Sequence, residues 1–422
     1  MRAPWPADPP PGPFRPGSWR SPLRGPWLTA FLGSLLLALT SIVIVTGFLS
    51  HLAYEPDLGR NAIVPRDGDL PLPFPDWPTS PSWLYALTQG LHVTVGFVAV
   101  PFLLAKLWSV IPRLFVWPPL ASPAQALERI AIALLVGSAL FQFATGVVNA
   151  QVFYPFTFNF VVAHFYGAIV FTASLLLHVL VKLPTIRHAY RERGVLKPLR
   201  DDLRSTRPEP YDPDGGLAPQ HPDPPTLSRR GLLAFTGGAG ALVAVMLGGQ
   251  SLGGPFRKLA LLAPRREGFP VNKTARAAGI TPEMAGDSWR LELVHAGRTT
   301  KLTRADLARM EQRRETLPIA CVEGWSTTQH WSGVRLADLA RAAGADPAAN
   351  DGLTCLVESL QPAGVLRTAT LNAGQLADDR SLLALRVNGA DLSPDHGHPA
   401  RIIVPALPGV HNTKWVARMT FS

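Results

Sequence analysis

The sequence predicts two structural classes in one chain: an all-α transmembrane helical bundle of four helices plus one anchor helix, followed by an α+β, mainly β, domain. Three observations carry this. Apolar runs long enough to span a bilayer crowd into the part before residue 255. Basic residues gather at alternate flanks of those runs. Beyond residue 268 the apolar runs shorten to strand length, with turn residues between them.

In chain order, residues 1–26 form a tail carrying Arg2, Arg15, Arg20 and Arg24 against Asp8 alone. The first span, 27–50, has no charged residue; it is too long for a signal peptide, and further spans follow it. The loop 51–82 holds Arg60 and Arg66 against Glu55, Asp57, Asp67, Asp69 and Asp76. Spans at 83–108, 130–150 and 158–181 follow, and then Lys182, Arg187, Arg191, Arg193, Lys197 and Arg200. The positive-inside rule puts the tail in the cytoplasm and the 51–82 loop outside. Residues 186–230 are a cytoplasmic linker, rich in proline, aspartate and glycine over 207–226. A fifth span, 231–253, takes the remainder outside the cytoplasmic membrane.

After a tether from Arg257 to Glu267, strands are expected at Trp289–Val294, Leu317–Val322, Leu353–Val357, Leu382–Val387 and Arg401–Val404. Helices are expected at Arg304–Met310 and Leu336–Ala343, and a tight turn at Asn388-Gly389. The net charge of +10 does not indicate nucleic-acid binding, because much of the basic excess flanks membrane spans. Two cysteines build no disulfide framework. Cys355, within an apolar strand, reads as an inert core thiol. Cys321 has no partner thiol nearby, so it cannot make a zinc or iron–sulfur site of the usual ligand count. It can be one ligand to a metal whose other ligands come from a cofactor.

The surrounding residues point that way. Cys321-Val322-Glu323-Gly324-Trp325-Ser326, Trp331-Ser332-Gly333-Val334 with Leu336, Glu358-Ser359, His396-Gly397-His398-Pro399-Ala400-Arg401, and Gly409 with Asn412-Thr413-Lys414-Trp415-Val416 occur in this order. Together, residues 268–422 resemble the molybdopterin-binding domain of the sulfite oxidase family. The resemblance implies that fold, and Cys321 as the thiolate on molybdenum. It implies Arg401 and Lys414, with Asn412 and Thr413, as the cradle of the pterin and its phosphate. His396, Ser359 and Asn272 match further cofactor contacts, and Trp325 and Trp331 either wall the site or serve as core. For a small oxyanion the candidates are Arg335, Arg367 and His330, although Arg335 reads equally as an exposed charge before a helix.

The membrane half adds histidines, which are costly inside a bilayer. His92 lies in the second span and His164 and His178 in the fourth; His51 ends the first. His164 and His178 share a helix face, about 21 Å apart at 1.5 Å per residue. The pattern resembles four-helix di-haem b-type cytochromes, which implies a cytochrome b-like domain over 27–185. His92 and His164 lie about 13 Å and about 9 Å from the outer end, a match in depth for one haem b iron. His178 and His51 find no partner at their depth. Ser228-Arg229-Arg230-Gly231-Leu232-Leu233 resembles a twin-arginine export signal, suited to a domain exported folded; it also reads as simple flanking charge.

The expected function is a membrane-anchored molybdopterin-dependent oxidoreductase. It would perform two-electron oxygen-atom transfer of the sulfite-oxidising or sulfoxide-reducing type, coupled to one-electron transfer through haem b. Its partners would be a small oxyanion or sulfoxide, a redox partner or quinone pool, and membrane lipid. The alternatives are a b-type electron-transfer membrane protein whose exported domain only docks, and a non-redox membrane protein with an exported binding domain.

Overall fold

The computed structural model describes residues 6, 8–53, 77–119, 122–211, 216–364 and 367–422. Arg2 and the charges of the expected outer loop from Glu55 to Asp76 lie outside the described residues. The chain divides into two compact units. One comprises Met1–Val45, Thr94–Asn149 and Phe153–Leu247; the other comprises Thr46–Val93, Ala150–Val152 and Gly248–Ser422.

Among the described residues, five helices are long and apolar enough to cross a membrane. They are α1 (Pro26–Leu52), α2 (Leu84–Val110), α3 (Pro123–Ala150), α4 (Phe160–Arg193) and α5 (Arg229–Leu252). Helix α3 starts earlier than its apolar run, and α4 runs twelve residues beyond the expected end at 181, because a helix continues into polar sequence until something stops it. Gly194, at φ +72°, stops α4. Asn159 starts it, its side chain accepting from Val161 and Val162 N–H.

In the first unit, Leu23, Trp27, Leu28 and Leu32 are buried against Phe102, Trp108, Tyr190 and Leu232. The expected flexible linker is packed in part: Glu209, Leu217 and Ala218 are buried, while residues 220–224 are exposed. Glu209 is buried; one carboxylate oxygen accepts from Trp27 N–H at 3.0 Å, while the other lies 3.6 Å from Arg193 and 3.9 Å from Arg229. Arg229, of the twin-arginine-like motif, is fully buried and also donates to Arg207 O at 3.0 Å. Its burial opposes the preference of charges for water, and Glu209 is what offsets that cost.

The second unit holds the ends of α1, α2 and α5. It continues through α6 (Gly254–Leu259), so Arg257–Glu267 is not the plain tether expected. Then come β1 (Leu291–His295), β2 (Arg298–Leu302), α7 (Arg304–Arg309), β3 (Arg313–Ala320), β4 (Ser326–Arg335) and α8 (Leu336–Ala343). The chain ends with β5 (Thr354–Ser359), β6 (Thr368–Asn372), α9 (Ala373–Ala377), β7 (Leu382–Val387), β8 (Ala390–Asp391), β9 (Arg401–Ile403) and β10 (Val416–Phe421).

Two sheets form. One has the order β2-β1-β10-β5-β6, with β1 and β10 parallel and the other pairs antiparallel. The other runs β3-β4-β7-β8, with β9 on β7. Leu291, Leu293, Cys355, Val357, Met419 and Leu371 are buried in one core with Leu336, Leu339 and Ala340 of α8. Cys355 is inside the strand expected for it. Asn388 and Gly389, at φ +53° and +84°, make the two-residue β7–β8 turn.

Candidate active site

Cys321 sits in the five-residue loop joining β3 to β4, immediately after the pair Ala320–Ser326. The loop closes on itself: Cys321 N–H donates to Trp325 O and Gly324 N–H to Cys321 O, both at 2.9 Å. Gly324 holds φ +94°, a conformation that a side chain would strain. Trp325 Nε1 donates to Glu323 Oε2 at 3.0 Å, and Arg265 lies 3.3 Å from the same oxygen. The loop after β9 closes the other side, with Gly409 N–H donating to Ala320 O at 2.8 Å. Burial, reinforced by Glu323, pushes the Cys321 thiol up to about 12. Without a metal the sulfur keeps its proton; a bound cation would displace it.

Arg401 opens β9 and Lys414 precedes β10, and both are buried. Arg401 donates to Asn412 O at 3.2 Å and His396 O at 3.3 Å. Lys414 Nζ donates to Lys273 O at 2.5 Å and Asp395 O at 2.9 Å. Gly397, at φ +111°, fits between them; a Cβ there would lie 3.2 Å from Cβ of each. Neither cation forms an ion pair with a carboxylate among the described residues. Burial pulls Arg401 down to about 9, and burial together with the Arg401 charge pulls Lys414 to about 7. Asp395 partly opposes the shift at Lys414, and Arg401 lies over the ring of Trp331, which shares a buried cluster with Cys321.

The other expected contacts distribute around them. Ser359 Oγ donates to Lys414 O at 2.8 Å. His396 stacks on Phe269 at 3.8 Å between ring centres, with Nδ1 2.8 Å from Ser393 Oγ. Asn412 Oδ1 accepts from Val404 N–H at 2.8 Å, fixing the loop that carries it. Thr413 is buried and its hydroxyl has no partner. Trp325 and Trp331 are buried, and Arg401 lies over the Trp331 ring at 5.8 Å. Asn272 is exposed and its side chain accepts from Lys273 N–H, so it turns to its own loop.

The three oxyanion candidates are not gathered. Arg335 pairs with Asp338 at 2.8 Å and Asp379 at 3.1 Å. Arg367 is exposed and donates to Pro362 O at 3.4 Å. His330 is exposed beside Thr316 and, one residue from the inward Trp331, faces the other side of β4. Sequence reasoning missed His411, which is buried, has no partner at either ring nitrogen among the described residues, and is pushed down to about 4 by burial. Its position inside the Gly409–Lys414 motif was the available signal. It also missed Lys273 and Gln361, linked at 2.8 Å beside Ser359.

Two buried cations without an ion pair, a buried hydroxyl unpartnered among the described residues and a buried thiol make a donor set that suits an anionic cofactor bearing a metal. The cations would take phosphate and the thiol would take the metal. No group of three or more His, Cys, Asp or Glu among the described residues could hold a metal, so the remaining ligands would come from the cofactor.

The expected haem ligands fall in different compact units. In one, a Cβ at Gly47 would fall 2.8 Å from His92 Cε1. In the other, Thr145 Oγ1 lies 2.8 Å from His164 Nδ1, and a Cβ at Gly146 would lie 3.6 Å from the His164 ring.

Comparison with known proteins agrees with the C-terminal geometry. Residues 278–422 match the family model of the oxidoreductase molybdopterin binding domain. Mitochondrial sulfite oxidase of Rattus norvegicus is 29% identical over 164 residues, 33% of this chain and 30% of that protein. The NAD(P)H nitrate reductase of Hordeum vulgare is 36% identical over 101 residues, covering 23% and 11% respectively. The uncharacterized oxidoreductase YuiH of Bacillus subtilis (strain 168) is 33% identical over 105 residues, covering 25% and 50%. The chain thus spans about a third of the length of the sulfite oxidase it matches. It carries a molybdopterin-binding oxidoreductase domain related to sulfite oxidases and nitrate reductases, and that domain is an enzyme domain.

Proposed function

We propose that this chain is a membrane-anchored molybdopterin-dependent oxidoreductase acting on a small oxyanion or a sulfoxide outside the cytoplasmic membrane. The observation that carries this is the buried pair Arg401 and Lys414, neither in an ion pair among the described residues, with Arg401 over Trp331, which packs in one buried cluster with the Cys321 thiol. A molybdenum–pterin group, when bound there, supplies two-electron oxygen-atom transfer. The protein supplies the rest. Cys321 would give its proton up and hold the metal through sulfur. Arg401 and Lys414 would hold the phosphate, and Asn412 and Thr413 would complete the cradle. His396 and Ser359 line it, while Asn272 belongs to the neighbouring loop. Trp325 and Trp331 exclude water around the sulfur.

The relatives' names, sulfite oxidase and nitrate reductase, favour an oxyanion substrate. The five apolar helices and the basic residues flanking them favour a multi-pass membrane protein with this domain outside. Export led by Arg229 and Arg230 would precede closure of the helical unit over Arg229, which is buried in the folded state. Electrons would come from or go to a redox partner or the quinone pool through one haem b on His92 and His164. The Thr145–His164 contact supports this, since it fixes one ring nitrogen and so the orientation of the ring.

The test is metal analysis of detergent-purified protein and its Cys321→Ser variant, with reduced-minus-oxidised spectra of both. The expected result is about one molybdenum per chain in the wild type, a changed molybdenum EPR signal in the variant, and a haem b spectrum in both. Absence of molybdenum from protein made in a cofactor-producing host would sink the enzyme reading and leave a docking domain. Absence of the haem spectrum alone would remove only the electron route.

A further inference from the structure

The loop that carries Cys321 is held from outside the molybdopterin-binding domain. Its own turn uses the Cys321 N–H and C=O and the Trp325 carbonyl. Three further carbonyls alternate along the chain, those of Val322 and Gly324 in the loop and of Ser326 at the start of β4. Each accepts a hydrogen bond from a side chain that precedes residue 278, where the family match begins. Gln89 of α2 donates its amide to Val322 O at 2.8 Å. Ser251 of α5 donates its hydroxyl to Gly324 O. Arg257 of α6 donates to Ser326 O, and to Gln250 O at 3.0 Å and Glu267 O at 2.8 Å.

Packing runs with the hydrogen bonds. Ala53, Tyr85 and Ala320 form a small buried cluster with Ala86, Val322 and Val410. A Cβ on Gly324 would fall 2.7 Å from Val93 of α2, so glycine there allows the helix its close approach. Gln89 itself is buried, which makes a missing partner costly. All these residues belong to one compact unit.

We infer that Gln89, Ser251 and Arg257 are positioning residues for the Cys321 sulfur. The ends of α2 and α5, with α6, set the loop that presents the thiol. The helical region is then a working part of the catalytic centre as well as an anchor. Groups that orient a metal ligand from behind govern the affinity and electronic properties of the metal. This rests on Cys321 being the metal ligand proposed above, but the placement of the loop can be measured without metal.

The experiment uses the full chain in detergent, purified metal-free, and follows iodoacetamide alkylation of Cys321 and Cys355 by mass spectrometry. Cys355 is buried in the sheet core and reports global opening. Gln89→Leu and Ser251→Ala should each raise the Cys321 rate about tenfold, the order expected when a hydrogen bond holding a buried loop is lost. Cys355 should not change, and Ser251→Thr, which keeps the hydroxyl, should match the wild type. In protein loaded with molybdenum, Gln89→Leu should keep about one metal per chain and shift its EPR g-values. An unchanged Cys321 rate in both variants overturns the inference. So does a parallel rise at Cys355, which would show general loosening. Failure of the wild type to take up molybdenum would break the functional reading and leave the alkylation result standing.

Discussion

The chain buries cations in two opposite ways. In the helical unit, the buried Arg229 and the partly exposed Arg193 both approach the buried carboxylate of Glu209. In the C-terminal unit, Arg401 and Lys414 are buried with backbone carbonyls as acceptors, and neither forms an ion pair with a carboxylate among the described residues. A buried cation with its own counter-ion is complete as folded. A buried cation without an ion pair is unfinished, and the missing anion is something the protein binds. The first group therefore reads as architecture and the second as a site, although both are arginine-led.

The sharpest way to break this contrast is to remove one arginine from each. Arg229→Met should leave the Glu209 carboxylate, whose burial already raises its pKa, with the partly exposed Arg193 and the Trp27 N–H, and lower stability by about 3 kcal/mol. Arg401→Met removes an uncompensated charge. The metal-free protein should lose less than about 1 kcal/mol, while cofactor retention falls by more than tenfold. Thermal unfolding in detergent with metal analysis reads both. Equal destabilisation of the two variants would abolish the distinction.

A smaller effect is expected from pH. Lys414 sits at about 7 when folded, below its ordinary 10.5. Between those values the unfolded chain binds the proton that the folded chain lacks, so metal-free stability rises with pH across that window. The contribution is full above 10.5 and lost as pH falls through about 7. An anion bound beside Lys414 restores its charge, so cofactor retention should run the other way and weaken as pH climbs above about 7. Lys414→Arg should flatten both slopes in a pH series of unfolding and cofactor release. The smallest effect is Ser359→Ala. Loss of the bond to Lys414 O should cost about 1 kcal/mol and weaken retention by no more than about tenfold.

How far the sequence was readable follows the same division. The five long helices were visible as apolar runs, and α8 and β7 fell where expected because amphipathic and buried patterns mark them. β2 was missed because Arg298–Leu302 is almost wholly exposed and shows no apolar alternation. β4 and β10 were hidden inside motif residues, where Trp331 and Val416 read as chemistry before they read as strand. Order along the chain brought Cys321, Arg401, Lys414, Ser359 and His396 to attention, since each belongs to a short motif. The absence of an ion pair at Arg401 and Lys414 among the described residues could not be read, because it depends on which loops meet. Nor could the clamp on the Cys321 loop, since Gln89 lies more than two hundred residues away in an apolar run. Arg335 shows the converse: a plausible cation by type, it is committed to Asp338 and Asp379.

The place of β10 also sets an order of assembly. It is the last strand in sequence, yet it lies in the middle of its sheet, between β1 and β5. During synthesis the earlier strands emerge first, and β1 and β5 have no direct contact to make until residues 416–421 arrive. Lys414 comes with them. The thiol of Cys321 is therefore made before the cradle that would hold its cofactor, and loading has to wait until Lys414 and β10 have been made.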